Sequence, residues 1–319
     1  MSFDHNAIAA LPSRIGLGLA AVGRPGYINL GRERDLPGER TVAAMRERAH
    51  EVLDAAYAQG VRYLDAARSY GRSEEFLAEW LDGRPDVRDV LVGSKWGYTY
   101  TADWRTDAEV HEVKDHSTRT FDRQLAESRG LLGERLDLYQ IHSVTPDSPA
   151  LTDTALHARL AQLAAEGVTI GLSTSGPAQA DAIRTALPVT VDGRPLFRSV
   201  QATYNLLEPS AGPALAEAHD AGCVVIVKEG MANGRLAGEA APALLRQVAE
   251  EAGATSDAVA LAAVLRQPWA GVVLSGAATT AQLTSNLRAT ALQLDGDRLT
   301  ALAEPAHAYW QHRSTLPWS

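Results

Sequence analysis

Cysteine is nearly absent: Cys223 stands alone among 319 residues, so no intrachain disulfide can form, and its place in the apolar run CVVIV suits a buried core thiol in a reducing compartment. Positive charge is also in short supply. Thirty Lys and Arg face 39 Asp and Glu, a net charge of -9 with no basic stretch to offset it, which argues against a phosphate-backbone binder and so against nucleic acid as a partner. No stretch holds eighteen consecutive apolar residues, and the start MSFDHNAIAALPSR lacks a charged segment followed by a long apolar run. The expectation is a soluble cytoplasmic protein with no membrane partner. Proline- or serine-rich linkers, low-complexity tracts and residue-level repeats are missing too, which favours a single domain over residues 1–319.

What the chain does have is a cadence. Short apolar or β-branched runs occur at Ile15–Ala20, Val61–Leu64, Val90–Val92, Leu136–Ile141, Val168–Leu172, Ser199–Ala202, Val224–Val227 and Val272–Leu274. Segments of helical period lie between most of them, such as Thr41–Gln59, Ser117–Leu132 and Ala278–Ala289, with a further helix at Thr255–Leu265. Gly60, Gly167 and Gly222 stand where a helix must turn into the next strand. Eight strands alternating with helices predict a (β/α)8 barrel. Two segments break the rhythm, at 24–40 after the first strand and 96–116 after the third. Both are expected to be long loops at the strand C-termini, where function collects.

Four polar residues fall at or just beyond predicted strand ends: Asp65 and Tyr70 in YLDAARSYG, Lys95 in VLVGSKWG, and His142 in LDLYQIHS. Barrel closure would bring them together on one face. A phenol of ordinary pKa near 10 donates protons poorly at neutral pH, and an adjacent ammonium would make its phenolate easier to form. Lys95 would supply that charge to Tyr70, Asp65 would hold Lys95, and His142 would orient a carbonyl and share the donor role. No side chain donates a hydride, so a nicotinamide cofactor is required. Taken singly, each residue has an ordinary structural explanation: rim packing for the tyrosine, a surface ion pair for the aspartate and lysine, a satisfied polar group for the histidine.

These four segments, in this order, resemble the aldo-keto reductases, and the resemblance runs from RIGLGLAAVG to SNLRA. It implies a single TIM barrel with Tyr70 as general acid, Lys95 and Asp65 as its tuning pair, and His142 as carbonyl orienter. It also implies NADP(H) ahead of NAD(H) as cofactor, and a small carbonyl or alcohol compound as substrate. IGLSTSG resembles the segment that holds the nicotinamide carboxamide, which assigns Ser173 there, with Thr174 where the family usually has Asn. Gln201 in VQATYNLLE is the second expected carboxamide ligand. SGAATTAQLTSN resembles the phosphate-binding segment at a helix N-terminus, which assigns Ser275, Gly276, Ala277, Gln282 and Asn286.

The chain departs from that pattern at two places. Lys228 in VIVKEGMANGRL aligns with a tyrosine that stacks on the nicotinamide, and an ammonium there would disfavour the oxidised ring. Ala278 aligns with the cationic residue that many NADP-preferring relatives use for the 2′-phosphate, a role left open to Arg235, Arg288 or Lys228. Trp96, Tyr98 and Trp104, just after Lys95, are candidates for the substrate pocket, with loop anchoring as the equal alternative.

Three motifs fail for lack of context. GLGLAA from Gly16 is followed by no helix, so no Rossmann domain is read. The histidines of HEVKDH are five apart and leave one helix face, so no metal site is indicated. GLSTS has serine where a nucleophile elbow needs its second glycine. The functional expectation is therefore a nicotinamide-dependent carbonyl reductase or alcohol dehydrogenase. The alternatives are an NAD-dependent aldose dehydrogenase and a non-catalytic cofactor-sensing subunit.

Overall fold

The computed structural model describes residues 3–36, 38–294 and 298–319. Eight parallel strands close into a barrel: β1 (Ile15–Gly18), β2 (Tyr63–Asp65), β3 (Leu91–Trp96), β4 (Leu138–Val144), β5 (Thr169–Thr174), β6 (Ser199–Thr203), β7 (Val224–Lys228) and β8 (Val272–Ser275). Neighbours in sequence are neighbours in the sheet, and β8 pairs with β1 to close the ring. Each of the eight predicted runs supplies one of these strands. β3 extends four residues beyond its run, because Gly93, Ser94, Lys95 and Trp96 are held in register against 138–141 of β4.

Helices pack outside the strands: α1 (Val42–Ala58), α2 (Ser73–Asp82), α3 (Thr118–Leu132), α4 (Thr154–Ala165), α5 (Gln179–Ala186), α6 (Gly212–Asp220), α7 (Ala243–Glu251), α8 (Ser256–Leu265), α9 (Thr280–Leu287) and α10 (Ala306–Ser314). In α1 the Thr41 hydroxyl caps the first turn by accepting from the Ala44 N–H, and Met45, Ala49, Val52, Leu53 and Ala56 form the buried stripe of period 3.6. Gly60, Gly167 and Gly222 all have positive φ, as the helix-to-strand turns require. Among the described residues no helix is long and apolar enough to cross a membrane.

The N-terminal ends of the strands are plugged by the first residues. Phe3 and the short helix His5–Ala9, through Ile8, join Tyr63, Leu91, Leu138, Ile226 and Leu274 in one cluster. Tyr63 fills the barrel interior because its neighbour on β3 is glycine: a Cβ on Gly93 would lie 2.3 Å from the Tyr63 hydroxyl. That hydroxyl points up the barrel and donates to Asp65 Oδ1 at 3.0 Å.

The two long segments are more ordered than loops. The first carries a short helix, Arg32–Asp35, tied down by Arg32, whose buried guanidinium donates to the carbonyls of Arg24 at 2.7 Å and Pro25 at 3.2 Å. In the second, Tyr98–Tyr100 pairs antiparallel with Glu112–Lys114, since the alternating pattern of YTY finds a partner in EVK. Helices α7 and α10 lie outside the predicted segments.

Candidate active site

Barrel closure carries Asp65, Lys95 and His142 to the C-terminal mouth, and the turn after β2 adds Tyr70. Lys95 is 0% and Asp65 1% exposed. The Lys95 ammonium donates to Asp65 Oδ2 and, at 3.0 Å, to the carbonyl of Ala66. Asp65 is held from three sides, since Tyr63 and the Gln201 amide each donate to Oδ1 at 3.0 Å. A carboxylate and an ammonium this deep are tolerable only because both are paired and hydrogen-bonded.

Tyr70 is presented by a tight turn. Its N–H donates to the Ala67 carbonyl, and Gly71 follows at φ 60, so close to the first loop that a Cβ would lie 2.6 Å from the Gly23 carbonyl. Lys95 Nζ lies 4.8 Å from the centroid of the Tyr70 ring, and the guanidinium carbon of Arg24 lies 5.3 Å from it. Burial pushes the Tyr70 phenol well above 10, the Asp65 carboxylate adds to the rise, and Arg24 opposes it. Burial outweighs whatever easing of the phenolate the nearby cations give. Lys95 is bound to Asp65, whose nearby charge raises the phenol further, so the Tyr70 hydroxyl keeps its proton at neutral pH.

His142 sits at an irregularity of β4, where the register to β5 shifts between Ile141 and Val144 and Ser143 takes φ 54. The Ser143 N–H donates to Ser173 Oγ at 2.8 Å, which pins the bulge that aims His142. The imidazole meets Tyr70 edge-on at 5.5 Å and Tyr98 at 5.2 Å between ring centroids, and Nδ1 is 3.4 Å from the Ser69 hydroxyl. Burial, and after it the charges of Lys95, Lys228 and Arg24, push its pKa well below 6.5, so it is neutral at physiological pH.

A cavity of about 580 Å³ adjoins this cluster and runs from Tyr70 and His142 to the N-terminus of α9. Of the residues expected to hold a nucleotide, Gln201, Lys228, Ser275, Gly276, Ala277, Gln282 and Asn286 line it. Ser173 and Thr174 do not: Ser173 serves the bulge, and the Thr174 hydroxyl is buried against Gln179 Oε1 at 3.4 Å. Gln201 Oε1 is buried with no hydrogen-bond partner among the described residues, an acceptor left over inside the site. Around the α9 turn, Ser275 Oγ donates to Asn286 Oδ1 at 2.7 Å and Gln282 Oε1 accepts from the Ala278 N–H at 2.9 Å, while a Cβ on Gly276 would meet nothing within 4 Å. A glycine with open space before a capped helix N-terminus is suited to an anion. The residues present thus fit a dinucleotide.

Ala278 lines the cavity, but it is buried and its methyl group supplies no cation for a phosphate. Two of the candidate substitutes are also committed elsewhere, Arg235 to Glu304 and Lys228 to Thr203. Arg288 lines a separate depression with Thr280 and Ser285.

The aromatic candidates part company. Trp96 is fully buried between His116 and Phe121, and Trp104 anchors its loop by donating to the Arg40 carbonyl at 2.7 Å. None of the three lines the cavity, and of them Tyr98 alone packs against His142. The sequence reading missed Arg24, Glu229 and Arg313, which line the cavity together with Trp318. Arg24 is 2% exposed, packed between Tyr70 and Trp318, and bonded to the Ser69 carbonyl and Glu112, each at 2.9 Å. Glu229, at φ 56, is gripped by Arg313 of α10 through bonds of 2.9 and 3.0 Å. A charged residue directly after a strand end was the available signal for Glu229; none marks Arg313.

The fold is a closed (β/α)8 barrel with a cluster of buried polar residues at the C-terminal mouth. The model of the aldo/keto reductase family matches residues 15–306, and the chain belongs to that family. It is 24% identical to an aldo-keto reductase, str7, of Strobilurus tenacellus, over 93% of this chain and 92% of that one. It is 27% identical to an uncharacterised oxidoreductase of Mycobacterium bovis, over 82% of each chain. Among solved structures, the holo form of an aldo-keto reductase from Bacillus halodurans superposes with a TM-score of 0.66 at 22% identity, covering 94% of this chain and 95% of that one. One from Klebsiella pneumoniae in complex with NADPH gives 0.64 at 22% identity, covering 92% and 90%.

Proposed function

We propose that the protein reduces an aldehyde or ketone to an alcohol, or runs the reverse reaction, with a nicotinamide nucleotide held along the cavity. The single observation that carries the reading is the meeting of Tyr70, His142 and the buried Lys95–Asp65 pair at one end of a cavity whose other end is the N-terminus of α9. In this reading Gln201 holds the carboxamide, the turn 275–278 holds phosphate, and the bound cofactor supplies the hydride.

The residues divide the remaining work. Tyr70 keeps its proton until charge develops on the carbonyl oxygen, then gives it to an alkoxide far more basic than a phenolate. Neutral His142 donates a hydrogen bond to the same oxygen without adding charge. Lys95 and Asp65 fix the ring from behind and hold a permanent dipole beside it. NADP(H) is the cofactor favoured by family resemblance and by the NADPH complex of the Klebsiella relative, although Ala278 supplies no phosphate-binding cation.

Turnover of a panel of aldehydes and ketones with NADPH and NADH, and of aldoses with the oxidised nucleotides, tests the reading. Reduction of at least one carbonyl class is expected. Preferential oxidation of aldoses with NAD would favour the dehydrogenase alternative. Nucleotide binding without any turnover would favour a sensing role.

A further inference from the structure

Lys228 stands where the aldo-keto reductase pattern has a ring that stacks on the nicotinamide, and the structure gives that substitution a definite electrostatic setting. Register places Gln201 of β6 opposite Ile226 of β7, and Thr203 opposite Lys228. With side chains alternating along each strand, Lys228 therefore stands one layer above Ile226, on the same inner face as Gln201 and Thr203. Its ammonium is anchored by donating to Thr203 Oγ1 at 2.8 Å, and it lies 5.9 Å from the centroid of the Trp310 ring.

The charge of Lys228 is only weakly answered. Its nearest carboxylate, Glu229, is 4.0 Å away and is already gripped by Arg313 and hydrogen-bonded by Thr203. Lys228 and Arg313 thus share one carboxylate, which leaves the cluster with one uncompensated positive charge. The groups facing it from other strands do not remove that excess, because Asp65 on β2 is bound to Lys95 on β3 and His142 on β4 is neutral.

We infer that Lys228 makes this site discriminate between the two redox forms of its nucleotide, favouring the reduced form with its neutral ring over the oxidised form with its cationic ring. The inference rests on the cofactor reading above and goes beyond it. Adenosine, ribose and phosphates are common to both forms, so their contribution cancels in the ratio of dissociation constants and the charge on the ring remains. At a distance of several ångströms, with Glu229 partly screening, the ammonium shifts that ratio by roughly tenfold. A tenfold preference raises the potential of the bound two-electron couple by about 30 mV. The protein then stands loaded with reduced nucleotide and releases the oxidised form readily, while hydride donation on the protein is harder by the same amount.

Burial holds the Lys228 pKa down at about 8, with Arg313 and Lys95 also lowering it and Glu229 and Asp65 opposing. The preference is therefore present below pH 8 and fades as the ammonium loses its proton above it. The test is a pair of titrations, of the reduced and the oxidised nucleotide, followed by tryptophan fluorescence on the full chain from about pH 7 to about pH 9.5. It is run on wild type, Lys228→Met and Lys228→Arg. The expected result is a wild-type ratio that favours the reduced form and falls roughly tenfold across this range, a smaller ratio independent of pH in Lys228→Met, and retention of the ratio at high pH in Lys228→Arg. Should Lys228→Met fail to fold, the wild-type pH dependence decides alone. Tight nucleotide binding with the same ratio in wild type and Lys228→Met, or a wild-type ratio flat across pH 8, overturns the inference and leaves the cofactor reading standing. Absence of nucleotide binding by wild type overturns both.

Discussion

The ammonium nitrogen of Lys95 lies 4.8 Å from the centroid of the Tyr70 ring, yet its hydrogen bonds go to Asp65 and the Ala66 carbonyl and not to the phenol. Lys95 is thus a fixed cation beneath the ring, locked by its own counter-ion. Burial keeps the Tyr70 hydroxyl protonated beside it, which in the proposed reaction gives that hydroxyl a role in the chemical step and not in binding.

Tyr70→Phe tests this directly. Turnover is expected to fall by about 10²–10⁴-fold, the usual worth of a positioned acid, while nucleotide affinity stays within a few-fold. Cofactor absorbance measures the first and fluorescence titration the second. Wild-type turnover in the mutant would remove Tyr70 from the chemistry.

Lys95→Met strands Asp65 as a buried carboxylate with two neutral donors. Stability is expected to drop by about 3–5 kcal/mol, measured by denaturant unfolding. Adding Asp65→Asn should recover a large part of that loss without restoring turnover. Equal instability in the single and double variants would show that the pair is not energetically coupled.

Gln201→Met removes a buried side-chain acceptor that has no partner among the described residues of the cavity. Affinity for the whole dinucleotide should fall about tenfold, with affinity for 2′,5′-ADP, which has no nicotinamide, unchanged. Parallel losses for both ligands would place Gln201 outside the nicotinamide end.

His116 offers a stability test away from the chemistry. It is buried with its nitrogens on the Ser148 hydroxyl and the His142 carbonyl, and burial holds its pKa down at about 4. Above pH 6.5 it is neutral in both folded and unfolded chains. Below that the unfolded chain takes up a proton that the folded one refuses, so stability is lost as pH falls from 6.5 to about 4, by up to about 3 kcal/mol. His116→Gln should flatten that part of the stability profile in urea unfolding at stepped pH.

Much of this protein was legible without its structure. Eight apolar runs at even spacing named the barrel, because a strand buried on both faces is mostly apolar and a parallel strand needs a helix to bring the chain back. The four residues that meet at the barrel mouth were legible as a group because each lies at or just beyond the end of such a run. Local signals carried further than they were used: Asp192-Gly193, both at positive φ, turn the small hairpin of Thr190–Val191 and Arg194–Pro195, as Asp-Gly commonly does.

Tertiary structure decided what depends on neighbours distant in sequence. It sent Trp96 and Trp104 into packing and kept Tyr98 beside His142, although all three follow Lys95 closely. It also turned Ser173 from an expected cofactor ligand into the support of the His142 bulge. Arg24 came to rest on Tyr70, and Arg313 reached Glu229 across 84 residues, leaving Lys228 with the weaker share of that carboxylate. Periodicity tells which face of an element is buried, whereas the partner of a buried charge is chosen by barrel closure, which no local pattern encodes.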